Sequence, residues 1–483
     1  MKINLDKINK IHFIGIGGIM MSSVAQYFLG QGRQVSGSDR DDDDMLDYLR
    51  FKGVQVSVGH NSDNIESDVD LVVYTVAIGQ DNPEFLKAKK LGKPLLSVYQ
   101  ILGQLCEHKF VVAVSGMHGK STTSSILGLI MEQAGFDPTV FLGTKIKEWK
   151  NNFRYGESNY LLSEACEYRD NFLQFFPDIL VITNIEAEHL DYFHNLVRIR
   201  KSFMQLIDQV RPGGYIVANW DDENVRTAVL SRQEFFHKRG VSLVKFGASK
   251  DELDFKAIDI NMNSDFSEFK ILTGRNDNIA SVATRRVVKK IEAINFKLKI
   301  PGRFNIYNTM AAITAAIVLG VEPKEIKDAI DGFEGVWRRF EFKGEVRGVR
   351  IYDDYAHHPT EIEATLKAVL NKFGIYRIWL VFQPHLYSRT NDFRDSFRDS
   401  LNLAPNLIIA PIYAARETNK WDISGQDLVD DINSINKNSK AVYYDNFDDI
   451  VDFLNNNIKA GDIVMTMGAG DVYKIGDRLI NNN

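Results

Sequence analysis

The chain has 483 residues, 44% of them hydrophobic, enough for about three domains of ~150 residues with a core in each. Its 58 basic and 64 acidic side chains are spread along the sequence and leave a net charge of -6, so no basic field points to nucleic acid or an anionic membrane as partner. No apolar run approaches the ~18 residues of a membrane span and the opening MKINLDKINK has no apolar signal core, which predicts a cytoplasmic protein. Cys106 and Cys166 form no C-x-x-C pair, so a bound metal would be held by oxygen and imidazole.

From Ile11 to about Gly103, short apolar runs (IHFIGI, QVSGSD, LVVYTVA, PLLSV) alternate with helix-like segments such as MSSVAQYFLGQ and NPEFLKAKKLG, which predicts a parallel sheet with crossover helices. The first run leads into Gly15, Gly17 and Gly18, and Asp39 closes the next strand, as in a dinucleotide fingerprint. The third glycine of that fingerprint would fall at Met20, so the close helix packing of nicotinamide-binding folds is not specified. A nicotinamide cofactor, another diphosphate-bearing ligand and a merely structural turn are the three readings of this loop.

The alternation restarts at Phe110 with FVVAVSG, then YLLSEA, DILVITNI and GGYIVANW, followed by the strand-like EFKIL and FKLKI, and so predicts a second α/β domain. Its first strand delivers the chain to GMHGKSTT, a shortened phosphate loop in which the leading glycine of the longer pattern is replaced by Val114. Gly116, Met117, His118 and Gly119 can turn backbone N–H groups to phosphate oxygens, Lys120 can reach the outer phosphates, Ser121 can ligate Mg²⁺, and the helix entered at Thr122 adds its positive end. The competing reading is a strand-to-helix turn with an incidental lysine. A chain that holds ATP here has no obvious need of hydride transfer, which tips the first loop towards a diphosphate ligand other than nicotinamide. Two further strand ends carry hard ligands: SEACEYRD with Glu164 and Glu167, and NIEAEHLD with Glu186, Glu188 and His189. Carboxylates with one imidazole suit a divalent cation at nucleotide phosphates, against the plainer reading of a solvated acidic rim.

A helical stretch, NIYNTMAAITAAIVLG, stops at Gly320 and leads into GVWRRFEFKG, after which the alternation begins a third time with VRIYDDY, RIWLVFQ, NLIIAPIY, KAVYYD and DIVMTMGAG. The expected fold class is α/β, as three successive α/β domains: a Rossmann-like N-terminal domain (1–105), a P-loop ATP-binding central domain (106–334) and a Rossmann-like C-terminal domain (335–483). Arg338 and Arg339 lie at the last junction, where a guanidinium can neutralise a transferring phosphoryl group, although paired arginines are often just solvated. In QPHLYSRT, His385 and Arg389 follow an apolar strand at the carboxyl edge of the sheet, and Arg389 is suited to clamp an α-carboxylate.

The segments IHFIGIGGIMMSS, SGMHGKSTT, SEACEYRDNFL, TNIEAEHLDYF, PGRFNIYN, GVWRRFEFKG, DDYAHHPTEI and QPHLYSRT occur in the order seen in the Mur ligases, and the resemblance covers essentially the whole chain. It implies an ATP-dependent, Mg²⁺-requiring ligase of peptidoglycan precursor synthesis, with UDP-N-acetylmuramate and L-alanine as substrates and a preformed murein tripeptide as the alternative to the single amino acid. The implied sites are the UDP-sugar on Gly15, Gly17, Gly18 and Asp39, the ATP on the phosphate loop with Asn305, Asn308 and Asp354, and the amino acid on Tyr355, His357, His385 and Arg389. Asn305 has helix capping as a competing role. The metal would rest on Ser121, Glu164 and His189, and catalysis on Lys120, His189, Arg338, Arg339 and His357. Met117, Ser121, Glu188 and Leu386 depart from residues usual in that family. Apart from these readings, a nicotinamide-dependent oxidoreductase and a non-catalytic nucleotide-binding relative are the rivals from other classes.

Overall fold

The computed structural model describes residues 2–250, 252–262, 266–273, 293–300, 302–374, 378–415, 417–435 and 441–481. Among them the strands form three sheets, and the chain divides into two compact units. One unit comprises Met1–Ile260, Phe269–Lys297 and Phe304–Phe333, the other Asn261–Glu268, Leu298–Arg303 and Glu334–Asn483.

The first sheet is built from β1 (Lys10–Ile14), β2 (Gln34–Asp39), β3 (Gln55–Val58), β4 (Leu71–Tyr74) and β5 (Leu95–Ser97), in the order β3-β2-β1-β4-β5 and parallel throughout. The period of two along β1 sends Ile11 and Phe13 into the large core, while Ile14 joins a smaller one with Ile65, Val69, Val72 and Ala88. Helices on both faces account for the continuous apolar run LVVY of β4, while β2 (QVSGSD) and β3 (QVSV) are more polar.

The second sheet has ten strands: β6 (Phe110–Ser115), β7 (Thr139–Ile146), β8 (Asn151–Arg154), β9 (Tyr160–Glu164), β10 (Ile179–Ile182), β11 (Tyr215–Asn219), β12 (Ser242–Gly247), β13 (Phe255–Met262), β14 (Ser267–Thr273) and β15 (Ile294–Leu298). β6 lies between β9 and β10, parallel to both, so the chain passes from one side of β6 to the other between β9 and β10. Such a crossing point opens a crevice at the carboxyl ends of the strands.

The helix Ile19–Gly30 joins the two sheets. Met20 through Phe28 are all buried, the polar Ser22, Ser23 and Gln26 included, as expected of a helix covered on every side. The Tyr27 ring packs 5.9 Å from both Phe141 and Tyr155, Asn152 Nδ2 donates to Ser23 Oγ (2.7 Å), and Asn151 Nδ2 donates to Gln26 Oε1 (2.7 Å). The helix that leaves the first glycine turn is thereby fixed against β7 and β8 of the second sheet, and one core runs through both.

In the other unit, β16 (Glu341–Val346), β17 (Val349–Asp354), β18 (Ile378–Phe382), β19 (Asn406–Ile409), β20 (Val442–Tyr443) and β21 (Ile463–Met467) are ordered β16-β17-β21-β18-β19-β20. Only the β16–β17 pairing is antiparallel among these. The helix Pro359–Phe373 begins with proline in its first turn, as DDYAHHPTEI predicts. No helix among the described residues is long and apolar enough to cross a membrane.

Candidate active site

Three neighbouring strand ends meet beside the phosphate loop. β6 ends at Ser115 and the chain turns through Gly116 to Gly119 into the helix Lys120–Gln133. Gly119 takes a left-handed conformation (φ 83°), and a Cβ there would stand 2.0 Å from Asn308 Oδ1, so both backbone and space require glycine. No side chain caps this helix, which leaves its first N–H groups for an anion. Asn184, just past β10, braces the loop from the other side: its Oδ1 accepts the His118 N–H (2.9 Å), its backbone carbonyl accepts the Met117 N–H (3.2 Å), and its Nδ2 donates to the His118 carbonyl (2.8 Å).

Lys120 is half-buried and turned inward. Its Nζ donates to the carbonyls of Gly116 (2.5 Å) and Met117 (3.0 Å) and pairs with Glu167 Oε2 at 2.8 Å. Burial alone would raise the Glu167 carboxyl, but the Lys120 charge and the His189 contact outweigh it and hold the group down at about 2. Lys120 is correspondingly raised: burial works against its charge, and Glu167 more than compensates.

Glu167, Glu188 and His189 offer ligand atoms that all lie within 4.8 Å of one another, with His189 Nε2 3.3 Å from Glu167 Oε1. Oxygen donors with a single imidazole, beside a phosphate loop, fit a hard divalent cation such as Mg²⁺. The family resemblance points to Glu164 as the metal's carboxylate, with Ser121 and His189. The structure puts Glu164 against Ser121 Oγ (2.9 Å) and the Gly143 N–H, and brings Glu167 and Glu188 to His189. His118 lies against the second acidic segment, 3.8 Å from Glu186 and 3.9 Å from Glu188. Thr122 is buried within the helix.

Asn305 and Asn308 fall in the first turns of the helix Arg303–Leu319, both buried, and Asn305 is inside the helix rather than at its cap. Asn308 touches the loop through Gly119, and its carbonyl accepts the Thr123 hydroxyl (3.3 Å).

The first glycine turn is closed on itself. The N–H groups of Gly15 and Ile16 donate to the Ser38 carbonyl (2.8 and 2.9 Å), Gly18 N–H donates to the Gly15 carbonyl (3.3 Å), and Gly17 N–H donates to Asp39 Oδ2 (2.8 Å). Asp39 thus clamps the turn it follows.

The other unit separates the two arginines. Arg338 is 2% exposed, and all three of its guanidinium nitrogens are engaged: Nε with Asp353, Nη1 with the Gly470 carbonyl and Nη2 with the Gly468 carbonyl, each at 2.6 Å. Rings of Trp337, Tyr355 and Tyr473 surround it. Arg339 keeps a 35% exposed side chain, 3.5 Å from Glu361 and over the Tyr355 ring.

Asp354 ends β17 and accepts the N–H groups of Phe340 (2.6 Å) and Ala356 (2.8 Å). Burial pushes it up to about 6, against the pull of Arg339. Tyr355 packs on His357, and His357 Nδ1 lies 3.0 Å from the Tyr355 carbonyl, an acceptor only, so Nδ1 carries the proton. His385 stacks on Tyr413 at 5.6 Å and meets Arg389 Nη1 at 3.4 Å. Burial lowers His357 to about 3 and His385 to about 4, so both imidazoles are neutral near pH 7. Leu386 has φ 70°, a strained value for leucine, held by its N–H to the Tyr413 carbonyl (2.9 Å).

Asn184, the Lys120–Glu167 pair and Tyr413 were not singled out by the sequence reading. Asn184 carried one usable signal, an asparagine directly after the apolar strand DILVIT.

Three family models match the chain in succession: "Mur ligase family, catalytic domain" at residues 10–110, "Mur ligase middle domain" at 114–316 and "Mur ligase, glutamate ligase domain" at 338–470. The chain belongs to the Mur ligase family. It is 41% identical over 484 aligned residues, 100% of both chains, to the UDP-N-acetylmuramate--L-alanine ligase of Caldanaerobacter subterraneus subsp. tengcongensis. Among solved structures it is similar to the UDP-N-acetylmuramate-alanine ligase of Thermotoga maritima, at TM-score 0.79 and 26% identity over 98% of each chain. It shares its fold with a murein peptide ligase of Psychrobacter arcticus, at TM-score 0.73 and 24% identity over 98% of each chain.

Proposed function

We propose that the chain is an ATP-dependent ligase that joins L-alanine to the lactyl carboxylate of UDP-N-acetylmuramate in the cytoplasm, where ATP is available. A carboxylate is a poor acyl donor, so the reaction runs through an acyl phosphate: the carboxylate oxygen attacks the γ-phosphorus and ADP leaves, then the alanine amine attacks the carbonyl carbon, loses a proton and expels phosphate. The observation that carries this reading is the meeting of β6, β9 and β10, which sets an uncapped helix end and Lys120 beside Glu167, Glu188 and His189.

The helix N-terminus and Lys120 hold the triphosphate and spread the charge that develops on the γ-phosphoryl group. Mg²⁺ bound with ATP at Glu167, Glu188 and His189 would supply further positive charge there. Asn184 keeps the loop in shape, and Asn308 packs behind Gly119. In the other unit, the neutral imidazoles of His357 and His385 are acceptors for an amine, and Arg389 binds the amino acid's carboxylate. Arg339 is the arginine available to a phosphoryl group, because Arg338 is consumed internally. We assign the UDP-sugar to residues 1–105, ATP to 106–334 and the amino acid to 335–483.

Phosphate release from purified protein with ATP, Mg²⁺ and UDP-N-acetylmuramate tests the reading, each amine being supplied in turn. Turnover should require L-alanine. Turnover with a murein tripeptide and none with alanine would replace it by the recycling reaction, and nicotinamide binding with no phosphate release would overturn the class.

A further inference from the structure

The first sheet carries a polar cluster that neither glycine turn accounts for. Glu84, in the first turn of the helix Pro83–Lys90, is 0% exposed. Its Oε2 accepts from Ser38 Oγ (2.6 Å) and lies 3.5 Å from His12 Nε2 and 3.6 Å from His60 Nδ1. Its Oε1 accepts from the Asn61 N–H (3.2 Å) and from Asn64 Nδ2 (2.5 Å). His12 in turn shares a hydrogen bond with Ser36 Oγ at 2.9 Å. Burial raises the Glu84 carboxyl, but the bonds from His12, Ser38 and Asn64 outweigh it and the net direction is down, so the group is ionised.

An ionised carboxylate is a costly way to fill this space. The same side of the sheet is otherwise packed with Ile14, Ile65, Val69, Val72 and Ala88, and apolar residues in place of the carboxylate and its partners together would serve stability at least as well. What the cluster does accomplish is to tie three strand ends together. Ser38 gives its carbonyl to the Gly15 and Ile16 N–H groups and its hydroxyl to Glu84. Asp39, the next residue, clamps Gly17 with its carboxylate and takes the Gly59 N–H on its carbonyl (2.7 Å). His60 follows, hydrogen-bonded to Ser38 Oγ at 3.0 Å, and its side chain is 21% exposed where those of His12 and Glu84 are 1% and 0%.

We propose that Glu84 is a positioning residue of the nucleotide-sugar site: it locks the Gly59–Asn64 loop to the glycine turn, so that both present one preorganised rim to the UDP moiety. The proposal rests on the assignment of the UDP-sugar to this domain. A carboxylate that serves this way acts through the loop it holds, and its loss should be felt by one ligand and not the other.

The test is calorimetric binding of UDP-N-acetylmuramate and, separately, of a non-hydrolysable ATP analogue with Mg²⁺ to the full chain, together with steady-state kinetics. Glu84→Ala should raise the Kd and KM for the UDP-sugar by about tenfold or more, the loss expected from one buried charged hydrogen bond, with kcat and nucleotide affinity unchanged. Glu84→Gln keeps an acceptor for Ser38 and should recover part of the loss. Wild-type UDP-sugar affinity in both variants would overturn the proposal, and so would an equal loss for both ligands. Should Glu84→Ala fail to fold, Glu84→Gln and His60→Ala decide by the same criterion. Gly15→Val separates the two levels of inference, since its Cβ would meet Thr75 Cγ2 at 2.5 Å. If it abolishes UDP-sugar binding while the Glu84 variants bind normally, only the proposal falls. If it binds normally, the domain assignment falls too.

Discussion

The two glycine turns look alike as sequence and differ in what they leave unused. At the end of β1 the Gly17 N–H is already taken by the Asp39 carboxylate, and the helix beyond is buried from Met20 to Phe28. Neither helix is capped by a side chain, but the one at the end of β6 opens with Lys120, held by two carbonyls and one carboxylate that a triphosphate can replace. Both turns commit backbone donors, Gly17 to Asp39 in the first and Met117 and His118 to Asn184 in the second, and what sets the second apart as an anion site is the lysine at the start of its helix. The same contrast recurs in Arg338 and Arg339, one spent on the fold and the other available.

The largest expected effect breaks the second turn. Lys120→Ala should lower ADP-forming ligation by about 10³-fold or more, in line with the loss of a preorganised cationic donor, while calorimetry still detects UDP-N-acetylmuramate. Unaltered turnover would mean that the open turn is not the chemical site. Arg339→Ala should follow, with kcat down by about 10²-fold to 10³-fold and an unchanged melting temperature. Arg338→Ala should instead cost about 3–5 kcal/mol in denaturant unfolding, because Asp353 is left as a buried, uncompensated charge. Equal kinetic and stability losses in both arginine variants would erase the distinction. Asp39→Ala releases the clamp on the closed turn, and the Kd for the UDP-sugar should rise by about tenfold with ATP affinity intact.

Much of this was legible in the chain. The three runs of alternating strands and helices have a local cause, and three parallel-rich sheets follow from them. GMHGKSTT specified its own geometry, since Gly119 is required by conformation and by Asn308. That Glu167 and Glu188 come together with His189 was not legible, because the chain after Glu167 turns through Arg169 and Asp170 at φ of 55° and 58°, values that no residue type there announces. Arg338 and Arg339 could not be told apart, since they share a turn in which Arg338 takes φ 57° and only the distant partners Asp353, Gly468 and Gly470 show which of them is turned inward. The bond from Gly17 N–H to Asp39 was not legible either, since the fingerprint gives the spacing of the two residues and not their contact.

The smallest effect concerns reserve acceptors rather than donors. His357 and His385 sit at about 3 and about 4, below the ordinary imidazole value near 6.5, because burial disfavours their charged forms. Below pH 6.5 the unfolded chain takes up protons at these residues that the folded chain refuses, so their contribution to stability is lost as pH falls from 6.5 towards 4. Asp354, raised to about 6, works the other way: the folded chain keeps a proton that the unfolded chain gives up above pH ~4, so this residue lends stability on the acid side and withdraws it as pH rises through 6. One carboxyl offsets roughly one of the two imidazoles, so the wild type keeps a net slope of about one proton over this range. Asp354→Asn removes the offset, and its thermal stability should fall more steeply than that of the wild type between pH 6.5 and 4. In His385→Gln the slope should flatten. Parallel melting curves for all three proteins across that range would mean that the imidazoles titrate freely in the fold and are not held neutral for an incoming amine.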